Sequence, residues 1–166
     1  MDNACRCLVG FEESAAAVYL GLARQFAKNK ELSWFWLEMS MEEKEHAVLL
    51  EFCGCEGLLR NLPDRNTIRR LSDLFQTLQK RAGSKNISVD EAFLIAAELE
   101  GSEINDIYAR LVTPVRGTPY ILRKKIEALG PDHLQSLIRG ARRFRVSAAT
   151  MARLIELKRQ ELRKAS

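Results

Sequence analysis

Apolar residues recur every three or four positions along most of this chain, the spacing that gathers them on one face of an α-helix. The first stripe runs Cys5, Leu8, Glu12, Ala15, Tyr19, Leu22 and Phe26 and predicts a helix from about Leu8 to Lys28. A polar break at Asn29-Lys30-Glu31 precedes a second stripe of Leu32, Trp36, Met39, Glu43, His46, Leu50 and Cys53. So short a break makes the two helices antiparallel neighbours. Leu62-Pro63-Asp64 punctuates a longer connection. After it, Asp64 or Asn66 can cap a short amphipathic helix through Ile68, Leu71, Leu74, Phe75 and Leu78, closed by Ala82-Gly83-Ser84. Ser88 with Glu91 forms a capping box and opens a third main helix, with the stripe Phe93, Ala97, Glu100, Ile104, Ile107 and Leu111.

Thr113-Pro114 stops that helix, and Thr118-Pro119 can cap and begin the next. Its stripe is Leu122, Ile126, Leu129, His133, Leu137 and Phe144, with Gly130-Pro131 distorting or restarting the helix just before His133. Ser147 can cap a last helix over 148–164, with Met151, Leu154, Ile155 and Leu162 as its apolar face. No repeat and no low-complexity tract interrupts the pattern. It predicts one all-α domain over 1–166, with a main bundle at about 8–145 and a C-terminal helix.

The stripes contain an anomaly. Glu12, Glu43, His46, Glu100 and His133 occupy positions that the spacing assigns to the core, and they include both histidines of the chain. A buried, unpaired carboxylate costs several kcal/mol, so each needs a counter-charge or a metal ion. Glu43-x-x-His46 sets two such side chains on one helix face, a turn apart. Glu13 turns about 100° away from Glu12, and Glu98 and Glu103 likewise fall off the stripe of Glu100. In chain order the four long helices supply Glu, Glu-x-x-His, Glu and His. Carboxylates from two helices and Glu-x-x-His from two others make the carboxylate-bridged metal sites of helix bundles. Without a metal, the same residues are a polar core of histidines paired to carboxylates.

Composition changes this picture little. The chain has 166 residues, 46% hydrophobic and 29% charged, ordinary for a globular domain. No apolar run reaches the ~18 residues of a membrane span, and the N-terminus lacks the basic-then-apolar order of a secretory signal; the expected location is cytoplasmic. The net charge of +4 is uneven: residues 116–166 carry thirteen Lys/Arg against four Asp/Glu, and residues 1–115 thirteen against eighteen. The basic charges are spread around helices with few aromatics among them, which reads as a solvated face rather than a nucleic-acid surface.

Four cysteines form two Cys-x-Cys pairs, Cys5 with Cys7 and Cys53 with Cys55. Antiparallel packing brings both pairs to one end of the bundle, about 10 Å along the axis from the polar cluster. Two readings stand. The four sulfurs bind an additional metal, with Gly54 and Gly57 unwinding the second pair, or they are reduced thiols at a core edge. A cytoplasmic location disfavours permanent disulfides.

In the stretches Phe11-Glu12-Glu13-Ser14-Ala15-Ala16-Ala17-Val18-Tyr19, Glu42-Glu43-Lys44-Glu45-His46-Ala47, Ala97-Glu98-Leu99-Glu100 with Tyr108 beyond, and Leu129-Gly130-Pro131-Asp132-His133-Leu134, the chain resembles the ferritin-like superfamily and its rubrerythrin-type proteins. The resemblance implies a four-helix ferritin-like bundle with short connecting and C-terminal helices around a non-haem di-iron site. It implies Glu12 and Glu100 as terminal ligands, Glu43 bridging, and His46 and His133 one per iron. The family pattern places a Glu three residues before the last histidine, where this chain has Gly130, so the second iron is expected to be held less firmly. Asp132 is the nearest acid. The implied activity is that of a non-haem iron peroxidase or oxidoreductase acting on peroxide or oxygen, or iron handling, in a homodimer. The alternative is a metal-poor bundle with an interaction or storage role. Rubrerythrins carry a rubredoxin-like centre with Cys-x-x-Cys pairs; this chain has none, which leaves the electron donor open. Tyr19 and Tyr108 stand as core aromatics or as tyrosines supporting the site.

Overall fold

The computed structural model describes residues 3–102, 107, 124 and 133–165. Tyr108, Gly130, Pro131 and Asp132, and the helix expected to begin near Thr118, lie outside the described residues. All six described elements are α-helices: α1 Asn3–Gln25, α2 Lys30–Cys55, α3 Arg65–Ala82, α4 Val89–Glu100, α5 His133–Arg143 and α6 Ala148–Ala165. The all-α class follows directly.

Helix starts obey the local signals. Asn29, Asp64 and Ser88 each accept a hydrogen bond from the backbone N–H three residues on, at 3.2, 2.8 and 3.1 Å. Ser147 does the same for α6 at 3.2 Å. Such caps satisfy donors that the first helical turn leaves free, each contributing about 1 kcal/mol.

The boundaries of α1 and α4 differ from expectation. α1 begins at Asn3, five residues before Leu8, and buries Cys5. α2 stays helical through Gly54 to Cys55. α4 ends at Glu100 with Gly101 as its C-cap, so the helix predicted through Leu111 is interrupted there. A Cβ on Gly101 would lie 2.8 Å from the Leu157 side chain of α6; the glycine admits that close approach. The apolar face of α6 also shifts by part of a turn: Leu154 and Leu157 are buried, whereas Leu162 is 56% exposed.

α1 and α2 form the principal pair, with α3 laid on α1. Their antiparallel register is read from cross-helix bonds: Cys5 Sγ to the Leu50 carbonyl, Ser40 Oγ to Ala16 O at 2.8 Å, and Ser33 Oγ to Ala23 O at 2.8 Å. α4 contacts α1, α3, α5 and α6. Arg81 clamps α3 to α4 through Glu91 at 2.8 Å and Glu98 at 2.6 Å. Asp90 at the start of α4 accepts from Ser147 N at 2.9 Å and Thr150 Oγ1 at 2.6 Å, pinning the start of α6. Trp36, Phe35, Phe93 and Phe144 pack ring on ring where α2, α4 and α5 meet. Gly140 makes that junction possible, since a Cβ there would fall 2.6 Å from the Phe35 ring. This aromatic block ties the first half of α4 and the C-terminal end of α5 to the first turns of α2.

Candidate metal centre

Four helices deliver the five stripe residues to one place. Glu12 comes from the middle of α1, Glu43 and His46 from the middle of α2, Glu100 from the last residue of α4 and His133 from the first described residue of α5. Glu12, Glu43, Glu100 and His133 are 3–5% exposed. The His46 Nδ1 lies 3.0 Å from Glu43 Oε2 and 3.7 Å from Glu12 Oε2. The His133 Nδ1 lies 3.3 Å from both Glu43 Oε1 and Glu100 Oε2. Glu43 thus presents one oxygen to each histidine. The two imidazoles stack, centroids 5.2 Å apart and 20° from parallel. Among the described residues, Glu43, His46 and His133 form a group whose ligand atoms all lie within 4.8 Å of one another, close enough to hold one ion.

Glu12 and Glu13 separate as the helical phase requires. Glu12 faces the cluster, while Glu13 is exposed and pairs with Lys44 at 3.6 Å. Glu98, off the stripe, is bound to Arg81.

The electrostatics are those of a charged core balanced from within. Burial alone would push the Glu43 carboxyl upward, but hydrogen bonds from His133 and His46 outweigh it and hold the group well below the usual carboxylate range. Burial would lower His46, yet the hydrogen bonds and charges of Glu12 and Glu43 raise it to about 9. His133 is raised further, against its burial, by Glu100, Glu42 and Glu43.

The donor set, carboxylate oxygens and imidazole nitrogens without sulfur, suits first-row divalent ions such as iron, manganese or zinc. Binding an ion requires the histidines to release their protons, and these two imidazoles already face carboxylates at ligand-like separations. One nitrogen remains: His133 Nε2 is buried with no aligned hydrogen bond among the described residues, though Glu42 Oε2 stands 3.2 Å away at a poor angle. The residues fit a metal ion.

Two neighbours were less legible. The Tyr19 hydroxyl donates to Glu100 Oε1 at 2.5 Å, so this fully buried tyrosine supports the cluster as well as filling the core. Burial, then the nearby carboxylates, raise its pKa well above the ordinary value, which keeps the phenol protonated as a donor. Glu42 was missed entirely, because its helical phase puts it beside the stripe; the available signal was that a core histidine has a second nitrogen to satisfy.

Cys5 and Cys53 are neighbours across α1 and α2. Because α2 remains regular through Cys55, residues two apart point about 200° from each other. Cys5 and Cys53 are buried, Cys7 is half-buried and Cys55 is exposed, and all four are free thiols. With both helices regular through their pairs, Cys5 and Cys7, like Cys53 and Cys55, turn to different sides of their helices. Burial, then the neighbouring Cys5, raise the Cys53 thiol.

Fold and site together define an all-α protein with a buried carboxylate–histidine cluster suited to a divalent metal. No protein-family model, no curated protein and no solved structure matches the chain.

Proposed function

We propose that this chain is a carboxylate–histidine metalloprotein of the ferritin-like, rubrerythrin-like kind that binds iron and reacts with peroxide or oxygen. The observation that carries the reading is the meeting of Glu12, Glu43, His46, Glu100 and His133 from four helices in one buried cluster. Glu12, Glu43 and His46 would hold one ion; Glu43, Glu100 and His133 would hold a second, with Glu43 shared. Bound ferrous ions would supply the electrons for reducing an O–O bond. The chain's own contributions are to keep water out of the cluster, to present both Nδ1 atoms to carboxylates, and to fix Glu100 through the Tyr19 proton.

A second reading rests on a specific feature: the histidine–carboxylate pairs at 3.0–3.3 Å can satisfy one another as ion pairs. On that reading the bundle is metal-poor and serves in interaction or metal storage rather than catalysis.

Partners and location belong to the same proposal. No described helix is long and apolar enough to cross a membrane, and four free thiols suit a reducing, cytoplasmic setting. Nucleic acid is not among the proposed partners. A second copy is. Trp34, Met41 and Val48 are 58–67% exposed and recur every seven residues along the outer face of α2, a self-complementary stripe for a homodimer.

The test is anaerobic ferrous titration of the full chain and of His46→Ala, followed by mixing with peroxide. Wild type should bind iron, and peroxide should oxidise it; the variant should lose the firmer site. Equal stoichiometry and affinity in both proteins would remove His46 from the ligand set. Iron that binds and never reacts would favour the storage reading.

A further inference from the structure

We propose that Glu42 is a positioning residue of the metal centre, accepting the Nε2 proton of His133 so that Nδ1 is held toward Glu43 and Glu100. This rests on the metal-binding reading above and deepens it.

The geometry carries the assignment. The two nitrogens of an imidazole point away from each other, and in the neutral ring one carries the proton while the other accepts or ligates. Two buried carboxylate oxygens, from Glu43 and Glu100, flank Nδ1 at 3.3 Å, so an ion shared with those residues sits on that side. Nε2 must then carry the hydrogen. It is buried, and among the described residues it has no well-aligned acceptor. Glu42 Oε2 at 3.2 Å is the carboxylate beside it. The Glu42 side chain is 47% exposed, with room to swing into line, whereas the buried His133 ring is stacked on His46. A metal-bound histidine ordinarily donates its other N–H to a carboxylate or carbonyl, which fixes the tautomer and makes the ligating nitrogen more basic.

Glu42 cannot be a ligand of the same ion, because it approaches the opposite edge of the ring. Its effect should therefore fall on one site only. The second ion, at His133, should depend on it; the first ion, at His46, should not.

The experiment compares wild type, Glu42→Ala and Glu42→Gln by anaerobic ferrous titration and by proton NMR of the zinc-loaded proteins. Glu42→Ala should weaken the second ion by about 10- to 100-fold and leave the first unchanged. Glu42→Gln, which keeps an acceptor oxygen, should recover part of that loss. In zinc-loaded wild type the His133 Nε2 proton should appear as a slowly exchanging downfield resonance, and in Glu42→Ala it should exchange fast or disappear. Wild type that takes up no ferrous ion and no zinc overturns the metal reading and this role with it. Wild type that loads two ions while Glu42→Ala loads them with equal affinity and an unchanged ring resonance overturns the role of Glu42 alone. A lowered melting temperature with unchanged metal affinity would likewise reduce Glu42 to an ordinary ion pair.

Discussion

Single residues in this cluster behave as coupled charges, and pH should expose them. In metal-free protein His46 has a pKa near 9, above its ordinary 6.5. Its contribution to stability is complete below about 6.5 and is lost as pH rises through 9. Glu43 acts in the other direction: held below its ordinary 4.5, it stabilises above that value and stops doing so as pH falls through its lowered folded pKa. Thermal unfolding in chelator should therefore show a decline from near-neutral to alkaline pH, and loading with a divalent ion should flatten that decline by replacing the protons. A metal-free melting temperature that climbs from pH 6.5 to 9 would contradict the pairing of His46 with Glu12 and Glu43. The same scale separates Glu12 from Glu13. Glu12→Gln should weaken metal binding on the order of tenfold or more, while Glu13→Gln, at an exposed pair with Lys44, should leave it unchanged and cost under ~1 kcal/mol of stability. Parallel titrations of the two variants decide it; equal effects would mean the register of α1 is misplaced.

At the scale of elements, α2 governs most of what is specific here. Its apolar residues are found all round, unlike the strongly one-sided α3 and α5, because its inner face packs in the core and its outer face carries Trp34, Met41 and Val48. Its regularity through Cys55 also sets the fate of the thiols. Native-state labelling should modify Cys55 fast, Cys7 more slowly, and Cys5 and Cys53 only with unfolding. Four equally rapid labels would show that the ends of α1 and α2 open together, contrary to the burial of Cys5 and Cys53.

For the whole molecule, the outer stripe of α2 runs from Trp34 to Val48, roughly 21 Å at 1.5 Å per residue, with Phe52 continuing it. The full chain should sediment as a dimer, and Val48→Glu should shift it to monomer with little change in helical content, since Val48 is 67% exposed in one copy. A wild-type monomer at all accessible concentrations would remove the second copy as partner.

The chain alone determined the all-helical class, the caps at Asp64, Ser88 and Ser147 and the phase of the α1 and α2 stripes, because capping and 3.6-residue periodicity are local properties of neighbouring side chains. It also determined that Glu12, Glu43, His46, Glu100 and His133 would face inward, since a polar residue in an apolar stripe is visible without any partner. Only the tertiary structure decided the rest. Position 101 has no room for a side chain because Leu157, fifty-six residues away in the chain, packs against it. Glu42 becomes a neighbour of His133 because α5 begins beside the middle of α2, a placement that no helical phase encodes. Tyr19 meets Glu100 across eighty-one residues for the same reason. Cys53 and Cys55 turn to different sides because α2 stays helical through Gly54, and a glycine permits unwinding without compelling it.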